Sequence, residues 1–405
     1  MGKTSKKYSL KKLSQNTIFI IALLLGLNVI PVKAMAEYNK LLKIGIIQRF
    51  GAKATDKIII KATPGDKLTL RFKTPGGEDT LTTEKVELKI KMKPLEEPIL
   101  KERLILSSHR SYENAEEDAQ FWKNKGIEVE VAQPDRWKVW AKREVYKTPL
   151  LRRWLLESIQ AHSNTNVYLD LEALKQRPTA YWNMNGYIYH RHELYITAGK
   201  DEIIISNQFN QDTAILEERR YAGSLKLEPN AYGTYTLVNN VPIETYIRGV
   251  VPHELGAWPP KASLEAQSIL ARTYALRNLH RFVVDNYELC ADTHCQVYKG
   301  LDVYPETDTA VTATRGKVLT YKDELIDAVY FAVSGGVTAD FNDLWNGTER
   351  PYLRPVIDGV NNIWDLSRNS LAYEQNFRKF MSLKKGFNEE GWSCLLYTSD
   401  AADDW

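Results

Sequence analysis

The chain has almost no excess charge of either sign, few cysteines, and no long apolar run after residue 32. Its 54 lysines and arginines nearly balance its 51 aspartates and glutamates, which leaves a net charge of +3. This balance argues against a dedicated nucleic-acid-binding protein, because such proteins carry a strong positive excess. The lack of a later apolar run argues against a further membrane-spanning helix. With 405 residues, the chain is long enough for two or more domains, each with its own core.

The first 36 residues have the pattern of a secretory signal peptide. An apolar run from residue 17 to residue 32 is followed by Ala34-Met35-Ala36, which presents small residues to a signal peptidase. Asn28 and Pro31 shorten the apolar part below the roughly 20 residues of a membrane span, which disfavours the alternative of an uncleaved anchor. We therefore expect cleavage after Ala36 and a mature protein in the periplasm or cell envelope, with membrane contact only through this segment. The positive charges before the apolar run come from Lys3, Lys6, Lys7, Lys11 and Lys12.

Two smaller domains are predicted after this segment, in a chain of the α+β class. Residues 37–98 contain short β-rich runs separated by turn residues and predict a small β-rich domain, whose role no motif indicates. Residues 101–175 predict a ferredoxin-like domain, because their pattern gives the order β-α-β-β-α-β. This order resembles that of the SPOR domains, which bind glycan strands lacking stem peptides. A glycan-binding role rests on the order alone, since this fold supports many functions.

Glu254 is the residue most indicative of chemistry. It follows Pro252, which removes a backbone donor and fixes φ, so the sequence predicts a stiff turn here and not ordinary helix or central strand. Trp258 follows four residues later, and a carboxyl beside an aromatic surface loses solvation, which raises its pKa. Glu254 is therefore a candidate general acid near neutral pH. The alternative is a carboxylate at the start of a helix that faces the helix dipole.

Four sequence blocks between residues 221 and 358 together resemble the SpoIID/LytB family of cell-wall proteins. They are residues 250–275, 292–300, 334–336 and 351–356, and their span covers about a third of the chain. The resemblance implies a SpoIID-like catalytic domain over residues 182–365, followed by an extension over residues 366–405 whose tail is of doubtful origin. In the SpoIID branch, known as lytic transglycosylases of peptidoglycan, the glutamate of the first block is the essential acid. That position here is Glu254.

A lytic transglycosylase can work with one carboxyl group. It protonates the glycosidic oxygen, and the same group then takes the proton from the muramic acid 6-hydroxyl, which closes an anhydro ring. Because no water attacks, the second carboxylate of hydrolytic glycosidases is not obligatory. The acidic residues nearest to Glu254 in the sequence are Glu244 and Glu265, so the motif itself contains no partner carboxylate.

The family blocks also imply substrate-binding residues. Arg272, Gln296 and Tyr298 belong to the first two blocks, although a structural role for Arg272 in holding the Glu254 turn is an alternative. The turn Ser334-Gly335-Gly336 lets the backbone approach a ligand closely, and an ordinary turn is the alternative. Relatives have hydroxyl or imidazole side chains just before this turn, whereas Phe331-Ala332-Val333 supplies none. Two aromatic residues, Trp345 and Tyr352, are candidates for stacking on sugars or for the core.

The cysteines allow three interpretations. Cys290, His294 and Cys295 have the ligand types and short spacing of a tetrahedral zinc site, and they match the zinc held by some SpoIID proteins. His280 is a candidate fourth ligand. The second interpretation is a local disulfide between the two cysteines, which suits an exported protein, and the third is free thiols. Cys394 lies in a terminal segment that continues no visible pattern.

These patterns predict an exported peptidoglycan lytic transglycosylase that acts on glycan strands and leaves 1,6-anhydro-muramyl ends. The alternative is a non-catalytic wall-binding protein that modulates a separate cell-wall amidase, as the LytB branch is described.

Overall fold

The computed structural model describes residues 40–163, 165–209, 216–256, 258–331, 337–356 and 373–382. The predicted signal peptide, the Ser334–Gly336 turn and most of the predicted extension lie outside these ranges. From Leu41 onward, the described residues group into a single unit. No helix in the described ranges is long and apolar enough to cross a membrane.

Seventeen strands make up most of the described secondary structure. Alternation of apolar and polar side chains explains many of them: in the second strand Ile58 and Ile60 are fully buried, while their neighbours are more exposed. The strands are β1 (Leu41–Phe50), β2 (Lys57–Ala62), β3 (Leu68–Thr74), β4 (Gly77–Thr83), β5 (Lys85–His109), β6 (Val129–Ala132), β7 (Trp137–Ala141), β8 (Tyr168–Met184), β9 (Tyr187–His190), β10 (Leu194–Ala198), β11 (Glu202–Asn207), β12 (Glu217–Ala222), β13 (Ser224–Pro229), β14 (Tyr235–Pro242), β15 (Leu289–Cys290), β16 (Thr320–Tyr321) and β17 (Glu324–Leu325).

Seven α-helices and one short 3-10 helix complete the described elements. The first two helices begin at side-chain caps, where Ser111 accepts from the backbone N–H of Asn114 and Thr148 from that of Leu151. The helices are α1 (Tyr112–Asn124), α2 (Pro149–His162), α3 (Ile243–Leu255), α4 (Lys261–Arg277), α5 (Pro305–Ala313), α6 (Phe341–Leu344) and α7 (Glu374–Ser382), and the 3-10 helix is Val283–Asp285.

The first sheet has seven strands in the order β15-β1-β14-β13-β10-β3-β4. Strand β1 lies between β14, to which it is antiparallel, and the short strand β15, to which it is parallel. Strand β14 leads directly into helix α3. Helices α3 and α4 share one apolar core with this sheet, and its members include Leu42, Ile44, Leu237, Tyr246, Ile247, Val250, Val251, Ala271 and Ala275.

The second sheet has eight strands, with β12-β11-β2-β5-β7-β6 in order and the β8-β9 pair attached through β5. Within it, β5, α1, β6, β7, α2 and β8 follow the predicted β-α-β-β-α-β order. Their strands lie in the order β8-β5-β7-β6, and each neighbouring pair is antiparallel. A SPOR-like role for this part of the chain stays a prediction.

The predicted regions are not separated in space as independent sheets. The boundary near residue 98 falls inside β5, and the boundary between residues 175 and 182 falls inside β8. Strands β1 and β3 of the predicted first domain pair with β14 and β10 of the predicted catalytic domain. The overall α+β class is confirmed, whereas a self-contained small β domain is not what the structure shows. Strand pairing between distant segments leaves no local pattern, so the sequence alone did not reveal it.

Candidate active site

Glu254 lies in the last turn of helix α3, and the predicted stiff turn at this position is wrong. The helix continues through Pro252 and ends at Gly256, whose φ of 85° and N–H bond to the Pro252 carbonyl terminate it. Pro252 removes one helical hydrogen bond, but the apolar face just before it is fully buried at Val250 and Val251. Tertiary packing thus outweighs the local preference. The alternative of a carboxylate at a helix start is also wrong, because this is the C-terminal end.

The Glu254 carboxyl is partly buried and held by two donors. The backbone N–H of Val297 donates to its Oε1 atom at 2.6 Å, and the Tyr330 hydroxyl donates a second hydrogen bond. Burial raises the pKa of Glu254 above its ordinary value, while these two bonds pull the pKa back down. The end of the helix also disfavours a negative charge at this position. The predicted direction of the shift is therefore present, and the group can keep its proton at a higher pH than a solvated glutamate.

A chain of buried hydrogen bonds leads to Glu254. The Tyr246 hydroxyl donates to Gln296 Oε1 at 3.2 Å, and Gln296 Nε2 donates to the Tyr330 hydroxyl oxygen at 3.1 Å. Tyr246 and Gln296 are both fully buried. Because the Tyr330 oxygen accepts the bond from Gln296, its own hydrogen is left for another acceptor, and the Glu254 carboxyl is within reach. Burial also raises the pKa of Tyr330, so its hydroxyl stays protonated and remains a donor.

Tyr330 was not identified from the sequence. The three residues before the Ser334-Gly335-Gly336 turn, Phe331-Ala332-Val333, carry no polar side chain. The hydroxyl comes from the residue immediately before that stretch. The sequence shows only a tyrosine near the end of an apolar run, and such a tyrosine is equally typical of a core residue.

Trp258 does not supply the apolar surface that was predicted beside Glu254. Its side chain is 82% exposed, and the groups bonded to the carboxyl are Val297 and Tyr330 instead. Phe331, next to Tyr330, is also 57% exposed. Large aromatic residues that remain exposed close in sequence to the acid and to its donor are candidate surfaces for sugar rings.

The predicted substrate contacts at Arg272 and Tyr298 are corrected to structural roles. Arg272 is 1% exposed and forms two bonds of 2.9 Å with the Glu244 carboxylate. It also donates to the Lys317 carbonyl at 3.0 Å, so it joins the start of α3, helix α4 and the turn after α5. Tyr298 is fully buried, and its hydroxyl donates to Asn239 Oδ1 at 3.0 Å. Both side chains therefore stabilise the packing of helix α3, because Arg272 bonds Glu244 and the Tyr298 ring packs against Tyr246.

Gln296 is also too buried to contact a substrate, and its bonds assign it to orienting Tyr330. Of the candidate stacking residues, Tyr352 is partly buried and its hydroxyl donates to Asp327 at 3.2 Å. Trp345 is partly buried, with its ring centroid 5.3 Å from that of Phe341. Ser334, Gly335 and Gly336 lie outside the described residues.

The structure joins Cys290 and Cys295 in a disulfide, with an S–S distance of 2.18 Å. The sulfur atoms predicted to bind zinc are thus bonded to each other, and the residues present do not fit the predicted zinc site. His280 pairs with Glu116 of helix α1, and the His294 backbone N–H donates to Asp292. Within the described ranges, no group of three or more potential metal-ligating side chains is present.

The disulfide lies at the start of a segment that contacts Glu254. We call residues 290–297 the disulfide segment. It begins in β15, where Cys290 pairs with Gly45 of β1, and it ends at Val297, whose N–H bonds Glu254. Gln296 also belongs to this segment. The covalent link therefore restrains both residues that orient the acid and its tyrosine donor.

Two family models match parts of this chain. Residues 231–321 match the family model described as Stage II sporulation protein, SpoIID. Glu254, the disulfide and Gln296 lie inside that match, whereas Tyr330 lies just beyond it. Residues 339–401 match a separate domain of unknown function, DUF8618. The predicted fourth block at residues 351–356 falls within this second match and not within the first.

Three curated relatives are similar over parts of the chain. An uncharacterised protein of Brachyspira hyodysenteriae is 36% identical over 176 residues, which cover 41% of this chain and 45% of the relative. The amidase enhancer of Bacillus subtilis is 37% identical over 107 residues, 26% of this chain and 14% of that protein. Stage II sporulation protein D of Bacillus subtilis is 32% identical over 159 residues, 33% of this chain and 45% of that protein. The chain thus spans less than half the length of each of these relatives.

Proposed function

We propose that this chain, whose residues 231–321 match the SpoIID family model, is an exported peptidoglycan lytic transglycosylase that uses Glu254 as both acid and base. The observation that carries this proposal is the carboxyl of Glu254. It is partly buried and its pKa is raised, and among the described residues its hydrogen-bond partners are an amide and a phenol, without a second carboxylate. This arrangement suits a single group that first gives and then takes a proton.

The proposed reaction has two proton transfers, and both involve the carboxyl group of Glu254. Protonated Glu254 gives its proton to the glycosidic oxygen, and the bond from that oxygen to C1 of muramic acid breaks as an oxocarbenium-like centre forms. The carboxylate left behind then takes the proton of the 6-hydroxyl, and that oxygen bonds C1 to close the 1,6-anhydro ring. No water is consumed, and Glu254 ends protonated as it began.

The two donors have a specific role in this scheme. Between the two transfers Glu254 is a carboxylate, and the Val297 N–H and the Tyr330 hydroxyl stabilise that charge. Hydrogen bonds to a charged group are stronger than those to a neutral one, so both contacts favour proton donation. Burial opposes ionisation and keeps the proton in place until a substrate accepts it. The site therefore balances proton retention against proton release.

A second function is supported by one comparison. The similarity to the amidase enhancer of Bacillus subtilis favours a wall-binding protein that assists a separate cell-wall enzyme. In that case the SpoIID domain would recognise glycan without cleaving it, and the partner would be an amidase.

The variant Glu254→Gln tests the proposal. The amide keeps the shape of the side chain but cannot donate a proton to the leaving oxygen or recover one from the 6-hydroxyl. General acid–base catalysis contributes about 10²–10⁴-fold, so we expect a loss of that size in anhydro-muramyl product from purified glycan, measured by mass spectrometry. Glu265→Gln is the matched control, because Glu265 is a partly exposed carboxylate of α4 that pairs with Lys261.

The products separate the competing explanations. Equal anhydro product from wild type and Glu254→Gln would remove Glu254 as the acid. Reducing ends without the anhydro ring would identify a hydrolase. If neither protein cleaves the glycan but the wild type binds it and accelerates a purified amidase, the wall-binding function is correct.

A further inference from the structure

Arg281 is a buried cation that touches three parts of the structure. Its side chain is only 5% exposed, in the turn between α4 and the 3-10 helix. One guanidinium nitrogen pairs with Glu113 of helix α1, and another donates to the His294 carbonyl of the disulfide segment at 3.3 Å. The Nε atom donates to Asn278 Oδ1 at 2.8 Å. Each of the three guanidinium nitrogens therefore has a partner within the protein, which offsets the cost of burying the charge.

Aromatic rings enclose the same guanidinium. It lies 4.4 Å from the ring centroid of Tyr112, in helix α1, and 5.4 Å from that of Tyr274, in helix α4. Tyr274 in turn packs edge-on against Tyr330, with ring centroids 6.3 Å apart. Arg281 thus contacts a neighbour of the Tyr330 donor as well as the segment that carries the Val297 donor. Cation–π contacts with desolvated groups add to the stability of this cluster.

The contact to the His294 carbonyl is the link to Glu254. His294 lies in the disulfide segment shortly before Gln296 and Val297. One side of this segment is fixed by the disulfide and by the pairing of β15 with β1. The Arg281 bond fixes the exposed turn between Cys290 and Val297 from the other side. Because the N–H of Val297 must reach the Glu254 carboxyl, a small shift of this turn would lengthen that bond.

Helix α1 belongs to the upstream β-α-β-β-α-β part of the chain, outside the SpoIID match at residues 231–321. Besides the Glu113 pair, its Asn114 side chain accepts a bond of 2.7 Å from the Asn346 backbone N–H. The N-terminal turn of α1 therefore contacts Arg281, which holds the disulfide segment, and Asn346, which lies after Tyr330 in the sequence. The upstream part is packed against the candidate site through this turn.

We propose that Arg281, paired with Glu113, is a positioning residue that holds the disulfide segment so that Val297 meets Glu254. Through this pair the upstream β-α-β-β-α-β part controls the geometry of the acid. The inference rests on the proposed function for its catalytic consequence, but the positioning itself is a structural claim that can be measured without turnover.

Arg281→Gln and Glu113→Gln test this role. Loss of the Arg281–Glu113 pair should weaken the hydrogen bond from the Val297 N–H to Glu254. That bond is one of the contacts that lower the pKa of Glu254. We expect the alkaline limb of the pH–rate profile to move to higher pH, because the acid then keeps its proton longer. Misplacement of a catalytic group reduces kcat, here by about 10- to 100-fold, with KM changed less than about 2-fold. Arg281→Lys keeps the charge and should recover part of kcat.

Hydrogen exchange supplies a readout independent of activity. The amides of residues 290–298 should exchange faster in Arg281→Gln and Glu113→Gln than in wild type. The matched control is Arg152→Gln, since Arg152 forms a similarly buried pair with Glu102 at 2.8 Å, within the upstream part and without contact to the disulfide segment. Arg152→Gln should lower the melting temperature without changing exchange at 290–298 or the alkaline limb.

Three results would overturn the proposal. The first is that amide exchange at residues 290–298 and the pH–rate profile stay unchanged in both Arg281→Gln and Glu113→Gln. The second is that Arg152→Gln changes them in the same way. The third is that Arg281→Lys recovers none of the lost kcat. If Arg281→Gln does not fold, Glu113→Gln decides, because it keeps the arginine and removes only the opposite charge. If wild type shows no cleavage of glycan, the proposed function fails, while the exchange measurement still decides the positioning role.

Discussion

At the scale of single residues, the protonation of Glu254 is decided by opposing effects on one carboxyl. Burial favours the neutral acid, and the Val297 and Tyr330 donors favour the carboxylate. A general acid needs both, since it must hold a proton in the resting enzyme and release it in the transition state. The same opposition makes the site sensitive to the loss of a single donor.

Tyr330→Phe removes one of these donors without changing the ring. We expect kcat to fall by roughly 10- to 100-fold, because a hydrogen bond to a charged group contributes about 1.5–3 kcal/mol. The Tyr330 bond also lowers the pKa of Glu254, so its loss should move the alkaline limb of the pH–rate profile to higher pH. The control is Tyr235→Phe, a buried tyrosine of β14 whose hydroxyl contacts His192. An unshifted limb in Tyr330→Phe would contradict the assigned contact.

The raised pKa of Glu254 also predicts how stability depends on pH. A carboxyl whose pKa is higher in the folded state stabilises the fold most below its unfolded value, near 4.5, and this contribution is lost as pH rises through the folded value. Glu254→Gln is insensitive to this titration. Its melting temperature should therefore rise relative to wild type between pH 4 and pH 8. Glu265→Gln should show no such trend, and a trend of opposite sign for Glu254→Gln would mean a lowered pKa.

At the scale of elements, the sequence indicated the candidate acid but not the groups that surround it. Glu254 is identifiable because its motif is local, as is the β-α-β-β-α-β order, which follows from short-range periodicity. The Val297 donor is a backbone N–H, which every residue except proline carries, so no residue type indicates it. Pro252 predicted a turn by local chemistry, yet burial of the preceding helical face carried the helix past it. Arg272 and Tyr298 belong to the motif blocks, yet their burial and their bonds to Glu244 and Asn239 give them structural roles.

The disulfide segment gives a prediction at this scale. Closing a loop of six residues reduces the entropy of the unfolded chain, so Cys290→Ser with Cys295→Ser should cost about 2 kcal/mol of unfolding free energy. Release of the segment should also lower kcat, because Gln296 and Val297 then lose their fixed positions. Peptide mapping of the native protein under alkylation should find both cysteines unmodified and linked. One bound zinc per chain with both thiols alkylated after metal removal would contradict the disulfide and restore the zinc interpretation.

At the scale of the whole molecule, distant segments share the two sheets. Strand β1, close to the predicted mature N-terminus, lies between the strand that leads into the Glu254 helix and the strand that begins the disulfide segment. Both sides of the candidate site are thus attached to β1, which lies far upstream of the SpoIID match at residues 231–321. This arrangement makes the upstream residues part of the scaffold and not a detachable accessory.

A fragment that begins at residue 182 tests that statement. It lacks β1 through β7 and most of β8, so the first sheet loses the strand between β14 and β15, and the second loses β2, one of the two strands that pair with β11. Unpaired strand edges and exposed core residues such as Leu237 and Val238 should then cause aggregation or loss of a cooperative transition. The fragment 37–405 should unfold cooperatively when both are measured by circular dichroism and calorimetry. If the fragment that begins at residue 182 unfolds cooperatively and cleaves glycan by itself, this part of the chain is self-contained. The upstream strands would then contact it without being required for its folding.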